Sequence, residues 1–532
     1  MGMSRREFLT RVGQAGGYGA AFVAMQHMGL MPLYGEQWRP IEAPAGSGKG
    51  VKVVVLGGGP AGLVSAYELK KLGYEVTVLE ARERPGGRVW TGKRGDKVEF
   101  TDGTVQTIDW AEGNYQNMGA GRIPSTHWTI LQYCRELKVP LEVEVNTSRS
   151  TLLQSDNANG GVPMTQRRVE MDTRGHVSEL LSKCVAGGAL DSEFSAEDKV
   201  RMTEFLRSYG DLDKANRFVG GSGVLGRAGW KVPPGAGSQV GVVDSVLDMK
   251  TLLDANFWTG LLFTEEWAQQ ATMMQAVGGN ANIWYAFAKV LGPAVVQYNA
   301  PVTSFKRTAK GVSVTYTQGG AAKTLEAAYC IVALPFEILK KIDNDLAQPQ
   351  KDAVMKSTAS GYYKVAWESR RFWEQDYNIY GGLSWVMQGP SPVWYPSANL
   401  MAETGVVVSG YMEEQGTPFQ ALSLEEKFAA SRGSIEKLHP GHGKELTKPV
   451  FCGWRRIKWN EASWIRSWGN GRMGYNALVQ GDGPYLFAGD TVSNVNAWME
   501  GAALSAKLAV QTIADRTKSA RLAGSEDGTF EA

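Results

Sequence analysis

The sequence predicts an α/β protein organised around a parallel sheet. Three observations within residues 52–88 carry that expectation: a short β-branched run, a glycine turn of fixed spacing, and a second apolar run that ends on an acid. Val53, Val54, Val55 and Leu56 form the first run, the pattern of a strand buried on both faces. Gly57, Gly59 and Gly62 follow in the G-x-G-x-x-G spacing. Gly57 suits a tight turn, Gly59 lets backbone approach a pyrophosphate, and Gly62 permits close packing of helix on strand. A helix expected over residues 61–72, stopped by Gly73, aims its free N–H groups and positive dipole end at that phosphate. A second strand over 75–79 ends on Glu80, eighteen residues past Gly62, where a carboxylate can accept from a ribose 2′-OH. Strand, turn, helix, strand and acid arrive in register, which marks a dinucleotide site.

The residues after that acid narrow the nucleotide. Glu80, Arg82, Arg84, Gly86, Gly87 and Arg88 form E-A-R-x-R-x-G-G-R, in which two more glycines allow a second close backbone approach and the arginines supply fixed positive charge. This stretch strongly resembles the FAD-binding segment of the flavin amine oxidase family. The resemblance implies a discontinuous, Rossmann-like FAD-binding domain, a mixed-sheet substrate domain and an inserted helical domain.

Length and composition agree with several packed domains: 532 residues with 43% hydrophobic content can build two or three. A net charge of +2 provides no field for nucleic acid or an anionic membrane. Cys134, Cys184, Cys330 and Cys452 lie far apart without a C-x-x-C, so no metal site and no disulfide framework is expected, and they read as reduced core residues. Ser4-Arg5-Arg6-Glu7-Phe8-Leu9 matches the twin-arginine export signal, which implies a bacterial protein exported to the periplasm or beyond. An uncharged, glycine-laced segment over 12–35 follows, too broken for a stable membrane span. Ala43-Pro44-Ala45 offers a cleavage point, and an ordinary amphipathic N-terminal helix is the alternative.

Downstream, the alternation in 95–100 and 104–110 predicts antiparallel strands. Asn117-Met118-Gly119-Ala120-Gly121-Arg122-Ile123-Pro124 then places small residues, able to lie against a flat ring, just before an arginine that can fork onto a carboxylate. This segment resembles the L-amino-acid oxidase branch, which implies that Gly119, Ala120, Gly121 and Arg122 face the flavin and that Arg122 holds the substrate α-carboxylate. Gly121 departs from the family's pattern, since many members carry methionine or another side chain there.

Helices are expected over 125–138, 177–185 and 196–209, followed by a glycine-rich stretch at 220–241, with Trp230, Trp258 and Trp267 read as packing residues. Gly278 and Gly279 precede a further helix; strands are expected at 301–305, 312–317 and 329–334. The resemblance implies that the Val302 backbone meets the adenine. Lys364, inside a strand-like run, is an edge-strand charge or an inward one with a partner. Its match in the family holds a water against flavin N5, which makes Lys364 the candidate for oxygen activation. The family's tyrosine at the Tyr411 position hydrogen-bonds the substrate carboxylate. Residues 484–490 read as strand, glycine turn and acid, and resemble the last FAD motif, with Gly489 and Asp490 toward the ribityl and pyrophosphate. A small-residue helix starting within 496–502 follows, in which Trp498 matches the aromatic wall beside the substrate and Met499 also meets the cofactor. No cysteine occurs after Cys452, where the covalent-flavin branch carries one in the segment matching 470–475, so noncovalent FAD is expected.

The partition implied is a signal segment at 1–45; FAD-binding parts at 46–122, 272–340 and 452–515; substrate-domain parts at 123–145 and 341–451; a helical domain at 146–271; and a disordered tail at 516–532. The activity implied is oxidative deamination of L-amino acids, with neutral or aromatic side chains favoured, by FAD and O2 to 2-oxo acids, ammonia and hydrogen peroxide. Arg122, Lys364, Tyr411 and Trp498 are its catalytic candidates, and a homodimer or higher homo-oligomer is expected because dimers are common among relatives. An amine or polyamine oxidase, an amino-acid 2-monooxygenase and a flavin-binding protein without turnover remain as alternatives.

Overall fold

The computed structural model describes residues 40–220 and 226–526. The twin-arginine stretch therefore lies outside the described residues, as do part of the glycine-rich stretch and the last six residues of the tail.

A five-stranded, all-parallel sheet forms the centre of the dinucleotide unit, in the order Val296–Gln297, Glu75–Leu79, Lys52–Leu56, Tyr329–Val332, Tyr485–Phe487. Its middle strand is buried from Val53 to Leu56, as an interior parallel strand must be when both faces are covered. Helices Pro60–Lys71, Ala281–Leu291 and Met499–Glu526 cover one face through Leu63, Phe287 and Val510. The other face packs on a second sheet, order Ala321–Ala327, Gly311–Gln318, Val302–Thr308, Asp343–Asn344, through Phe305 and Val314. Three separated stretches of chain thus build one sheet. Local sequence set each strand, but the pairing of 52–56 with 329–332 and of that strand with 485–487 closes loops of more than a hundred residues.

The second large sheet has seven strands, in the order Met164–Thr165, Leu152–Gln154, Gly382–Val386, Val393–Tyr395, Thr404–Glu413, Tyr362–Arg370, Thr447–Gly453. It is mixed: Gly382–Val386 runs parallel to Leu152–Gln154, while its other neighbours pair antiparallel. A third, three-stranded sheet (Ile123–Pro124, Met273–Ala276, Leu141–Glu144) joins the two units.

Several expectations need correction. The segment expected to be helical from 146 opens with two strands given to the seven-stranded sheet, and its long helices are Gln166–Ala186 and Ala196–Gly210. Trp258 and Trp267 are 49% and 56% exposed rather than packed, and Cys184 is exposed, unlike the other three cysteines. The tail expected to be disordered from Arg516 begins as the last turns of the helix Met499–Glu526. Its side toward the core carries Ile513 and Ala514, and Thr517 accepts from the buried Tyr74 hydroxyl at 3.0 Å, so tertiary contacts hold turns whose charged composition argues otherwise. Among the described residues no helix is long and apolar enough to cross a membrane. Ala43-Pro44-Ala45 lies in a turn against the terminal helix, where Glu42 N–H donates to Gln511 Oε1 at 2.8 Å.

Candidate active site

A cleft, part of it open to solvent, runs from the glycine turn to the seven-stranded sheet. Gly57, Gly59, Glu80, Arg82, Gly87, Arg88, Gly119, Ala120, Gly489, Asp490, Trp498 and Met499 line it, together with Tyr411. Residues expected from three distant parts of the chain thus meet in one place.

At its dinucleotide end the glycines divide the work as their spacing requires. Gly57 has φ +100°, and a Cβ there would lie 2.7 Å from Ala333 O. A Cβ on Gly62 would lie 1.9 Å from Gly57 O, so that glycine serves helix-on-strand packing and does not line the cleft. Gly59, by contrast, has nothing within 4 Å of a Cβ position: its open side is the space a phosphate would enter. No side chain caps the helix Pro60–Lys71, whose first residue has no N–H to offer, so the following amides remain for an anion. Glu80 is buried and accepts from Gly58 N–H at 2.7 Å and Arg82 N–H at 2.9 Å, leaving lone pairs for ribose hydroxyls.

Arg88 forms an ion pair with Asp490 and donates to Ser463 O, which ties the second and last cofactor motifs together. Asp490 Oδ2 also accepts from Ala497 N–H at 3.1 Å and so fixes the loop that presents Trp498. Val302 does not line the cleft; Ala300, just before its strand, is the residue that meets the nucleotide unit, its N–H donating to Glu80 O at 2.9 Å. This donor set, an open glycine cradle, a helix start and a buried carboxylate, fits FAD.

At the far end, Lys364 lies on Tyr362–Arg370, which has strands on both sides, so it is an inward charge and not an edge one. It is 2% exposed, and its Nζ donates to Asn117 O at 2.6 Å and Gly119 O at 2.8 Å. Burial first, and the Arg122 charge second, lower its pKa to about 7, against smaller opposite pulls from Cys452 and Glu144. Its ammonium lies 4.8 Å over the Trp394 ring and 5.0 Å over the Tyr411 ring. Arg122 stacks 4.3 Å over the same Trp394, which therefore carries both cations. The indole N–H of Trp394 donates to Glu144 Oε1 at 2.8 Å, while Glu144 Oε2, fully buried, has no hydrogen-bond partner among the described residues. Burial raises the Glu144 pKa, with Arg122 and Lys364 opposing it; burial likewise raises that of Tyr411, with Arg122 opposing it.

Arg122, Gly121 and Lys364 stand just behind the cleft wall formed by Gly119, Ala120 and Tyr411. Trp498 is half-buried with its ring edge-on to His127 at 4.9 Å. Burial pushes the His127 imidazole down to about 4, so it is neutral near pH 7.

The sequence reading missed much of the aromatic lining. Trp454, Trp459 and Trp464, spaced five apart, line the cleft with Tyr362, whose ring lies 4.3 Å from that of Trp464. Their density in one short stretch was the available signal. It missed as well the roles of Trp394, Glu144, Asn146 and Gln269, whose contacts span unrelated elements and carry no local pattern. Among the described residues no group of side chains could hold a metal ion.

Comparison with known proteins agrees with this geometry. The chain is similar to L-amino-acid oxidases of Daboia russelii (25% identical over 466 residues, 84% of this chain and 86% of that protein) and of Bothrops atrox (27% over 386 residues, 70% of each). Among solved structures it resembles a putrescine oxidase triple mutant (TM-score 0.58, 19% identity, 88% of this chain and 99% of that one). The cyclohexylamine oxidase from Brevibacterium oxydans IH-35A is similar in fold to the same degree (TM-score 0.58, 16% identity, 88% and 99%). The profile of the flavin containing amine oxidoreductases matches residues 60–514, the span that holds nearly all of the cleft, and the chain belongs to that family.

Proposed function

We propose that the protein is an L-amino-acid oxidase that binds FAD noncovalently and converts an L-amino acid, O2 and water to a 2-oxo acid, ammonia and hydrogen peroxide. One observation carries this reading. Arg122 is 6% exposed, and among the described residues no carboxylate makes an ion pair with it. A buried, unpaired guanidinium is costly, and an anion that arrives with the substrate accounts for it. Tyr411, near enough to feel the Arg122 charge, supplies a phenol donor to the same carboxylate. An amine substrate has no group that would need this arginine.

FAD, when bound, supplies the acceptor for the Cα hydride and the route of both electrons to O2. The chain supplies placement. Arg122 and Tyr411 hold the carboxylate, Trp498 limits how the Cα can turn, and the tryptophan-rich wall excludes water and favours neutral or aromatic side chains. No side-chain base is needed once the substrate amine is unprotonated. Lys364, which donates to two backbone oxygens, would when protonated have a third N–H to hold a water for the oxygen step. Export by the twin-arginine route and a homodimeric assembly belong to the same proposal, the first supported by the Ser4–Leu9 motif.

The test is peroxide release from the FAD-loaded protein against the twenty L-amino acids and a set of primary amines and diamines. Turnover confined to amines would sink the reading, and an amide product would make it a monooxygenase. Arg122→Leu should raise KM for the best amino acid by at least about a hundredfold.

A further inference from the structure

The Arg122 side chain is held in an unusual way. Its Nη1 donates to two side-chain amide oxygens, Asn146 Oδ1 and Gln269 Oε1, the latter at 3.3 Å. Asn146 Nδ2 in turn donates to Gln269 O at 2.8 Å. Asn146 follows the strand Leu141–Glu144, and Gln269 lies in the helix Trp267–Gln270 that leads into Met273–Ala276. The two ends of the helix-rich segment therefore close on each other at one nitrogen of the guanidinium. Both residues are buried, at 6% and 8% exposure. The guanidinium also packs against Trp394 and, at 5.6 Å, Phe263. Among the described residues no protein acceptor takes a hydrogen bond from its Nε or Nη2.

Carboxylates at these two positions would grip an arginine roughly twice as strongly as amides do. They would also neutralise it. The buried acid Glu144, whose charge Arg122 feels, is held on the Trp394 indole, and no ion pair between it and the guanidinium occurs among the described residues.

We propose that Asn146 and Gln269 are positioning residues for the substrate carboxylate: they aim Arg122 with neutral oxygens, so that its remaining N–H groups and its full charge stay available to the incoming anion. This rests on the reading of Arg122 as the carboxylate clamp. The aim of the fork is then built from both ends of the helix-rich segment, and the charge of its supports matters as much as their shape.

Steady-state kinetics on FAD-loaded, full-length variants tests it, with the best substrate of the twenty-amino-acid panel. Asn146→Leu, which deletes both of its side-chain bonds and adds no charge, should raise KM about threefold to tenfold with kcat nearly kept. Asn146→Asp keeps the size and the acceptor and loses the same Nδ2 donor to Gln269 O that leucine loses, yet should raise KM about a hundredfold or more, because the new carboxylate pairs with Arg122. Gln269→Glu should act in the same direction and serves should Asn146→Asp fail to load FAD. Flavin absorbance and the thermal midpoint identify any variant that has merely misfolded. A purely structural role predicts the reverse order, with the isosteric aspartate milder than leucine, and that order, or equal effects, overturns the proposal. Arg122→Leu separates the two ideas. If its KM is unchanged the clamp itself fails; if its KM rises while the acidic variants stay mild, only the positioning role falls.

Discussion

A Cβ placed on Gly121 would lie 2.5 Å from Cη2 of Trp394, so the indole occupies the space that any larger residue at 121 would claim. That indole is the plate on which Arg122 and Lys364 both rest. A glycine at position 121 thus has a local explanation in this chain: glycine and tryptophan share one volume.

Gly121→Ala should therefore push Trp394 off its position and disturb Arg122 with it. We expect KM for the amino acid to rise by about tenfold to a hundredfold, since small misplacements of a positioning group have effects of that size. Combining it with Trp394→Leu, which vacates the same space, should cost less than the sum of the two single changes. A double-mutant cycle on kcat/KM measures this, and strict additivity would show that the two residues do not share the volume.

Gly59 and Gly62 lie three residues apart and should respond differently to the same methyl group. Gly62→Ala meets Gly57 O at 1.9 Å and should destabilise the flavin-free protein by about 3 kcal/mol, read by equilibrium unfolding. Gly59→Ala meets nothing within 4 Å and should leave that stability alone. Its methyl instead fills the phosphate's approach, and FAD affinity should fall at least about a hundredfold in a titration.

Lys364 sets a pH dependence whose sign follows from its environment. Its ordinary value of 10.5 is lowered to about 7, so the free amine prevails above that pH and the buried ammonium below it. Between about 7 and 10.5 the unfolded chain binds a proton that the folded chain lacks, so this group's contribution to stability rises with pH across that window. Glu144 is one of the groups holding the lysine up. Glu144→Gln keeps an acceptor for the Trp394 indole but removes the anion, and the ionisation seen in kcat/KM for O2 should move to a pH below about 7. Lys364→Met should abolish that ionisation and slow reoxidation of the reduced enzyme by about a hundredfold. A profile unchanged in both variants would remove Lys364 from the oxygen step.

Glu500 carries a structural load between two distant stretches of the chain. Its carboxylate accepts from Thr129 N–H at 3.0 Å and Ile130 N–H at 2.9 Å, capping the helix Trp128–Glu136 from another part of the chain. Glu500→Ala leaves two buried amides unpaired and should cost about 2–3 kcal/mol in urea unfolding. A loss below about 0.5 kcal/mol would mean that water replaces the cap.

The dinucleotide unit was legible because its rules act between near neighbours: backbone sterics decide where glycine must stand, and periodicity alone separates the strand Lys52–Leu56 from the helix Pro60–Lys71. Arg122, Lys364, Tyr411 and Trp498 could be named from motif likeness; of these Tyr411 and Trp498 line the cleft, while Arg122 and Lys364 stand behind its wall. What no local pattern contains is the environment of each. Lys364 reads alike as an edge or an interior residue until the strands Thr404–Glu413 and Thr447–Gly453 flank it, and only their burial and the Arg122 charge lower its pKa. The joint seat of Arg122 and Lys364 on Trp394, and the grip of Asn146 and Gln269, depend on strand order and helix docking over long separations. Conformational preference is written residue by residue, whereas charge, dielectric and shape at a site are sums over whatever the folded chain brings near.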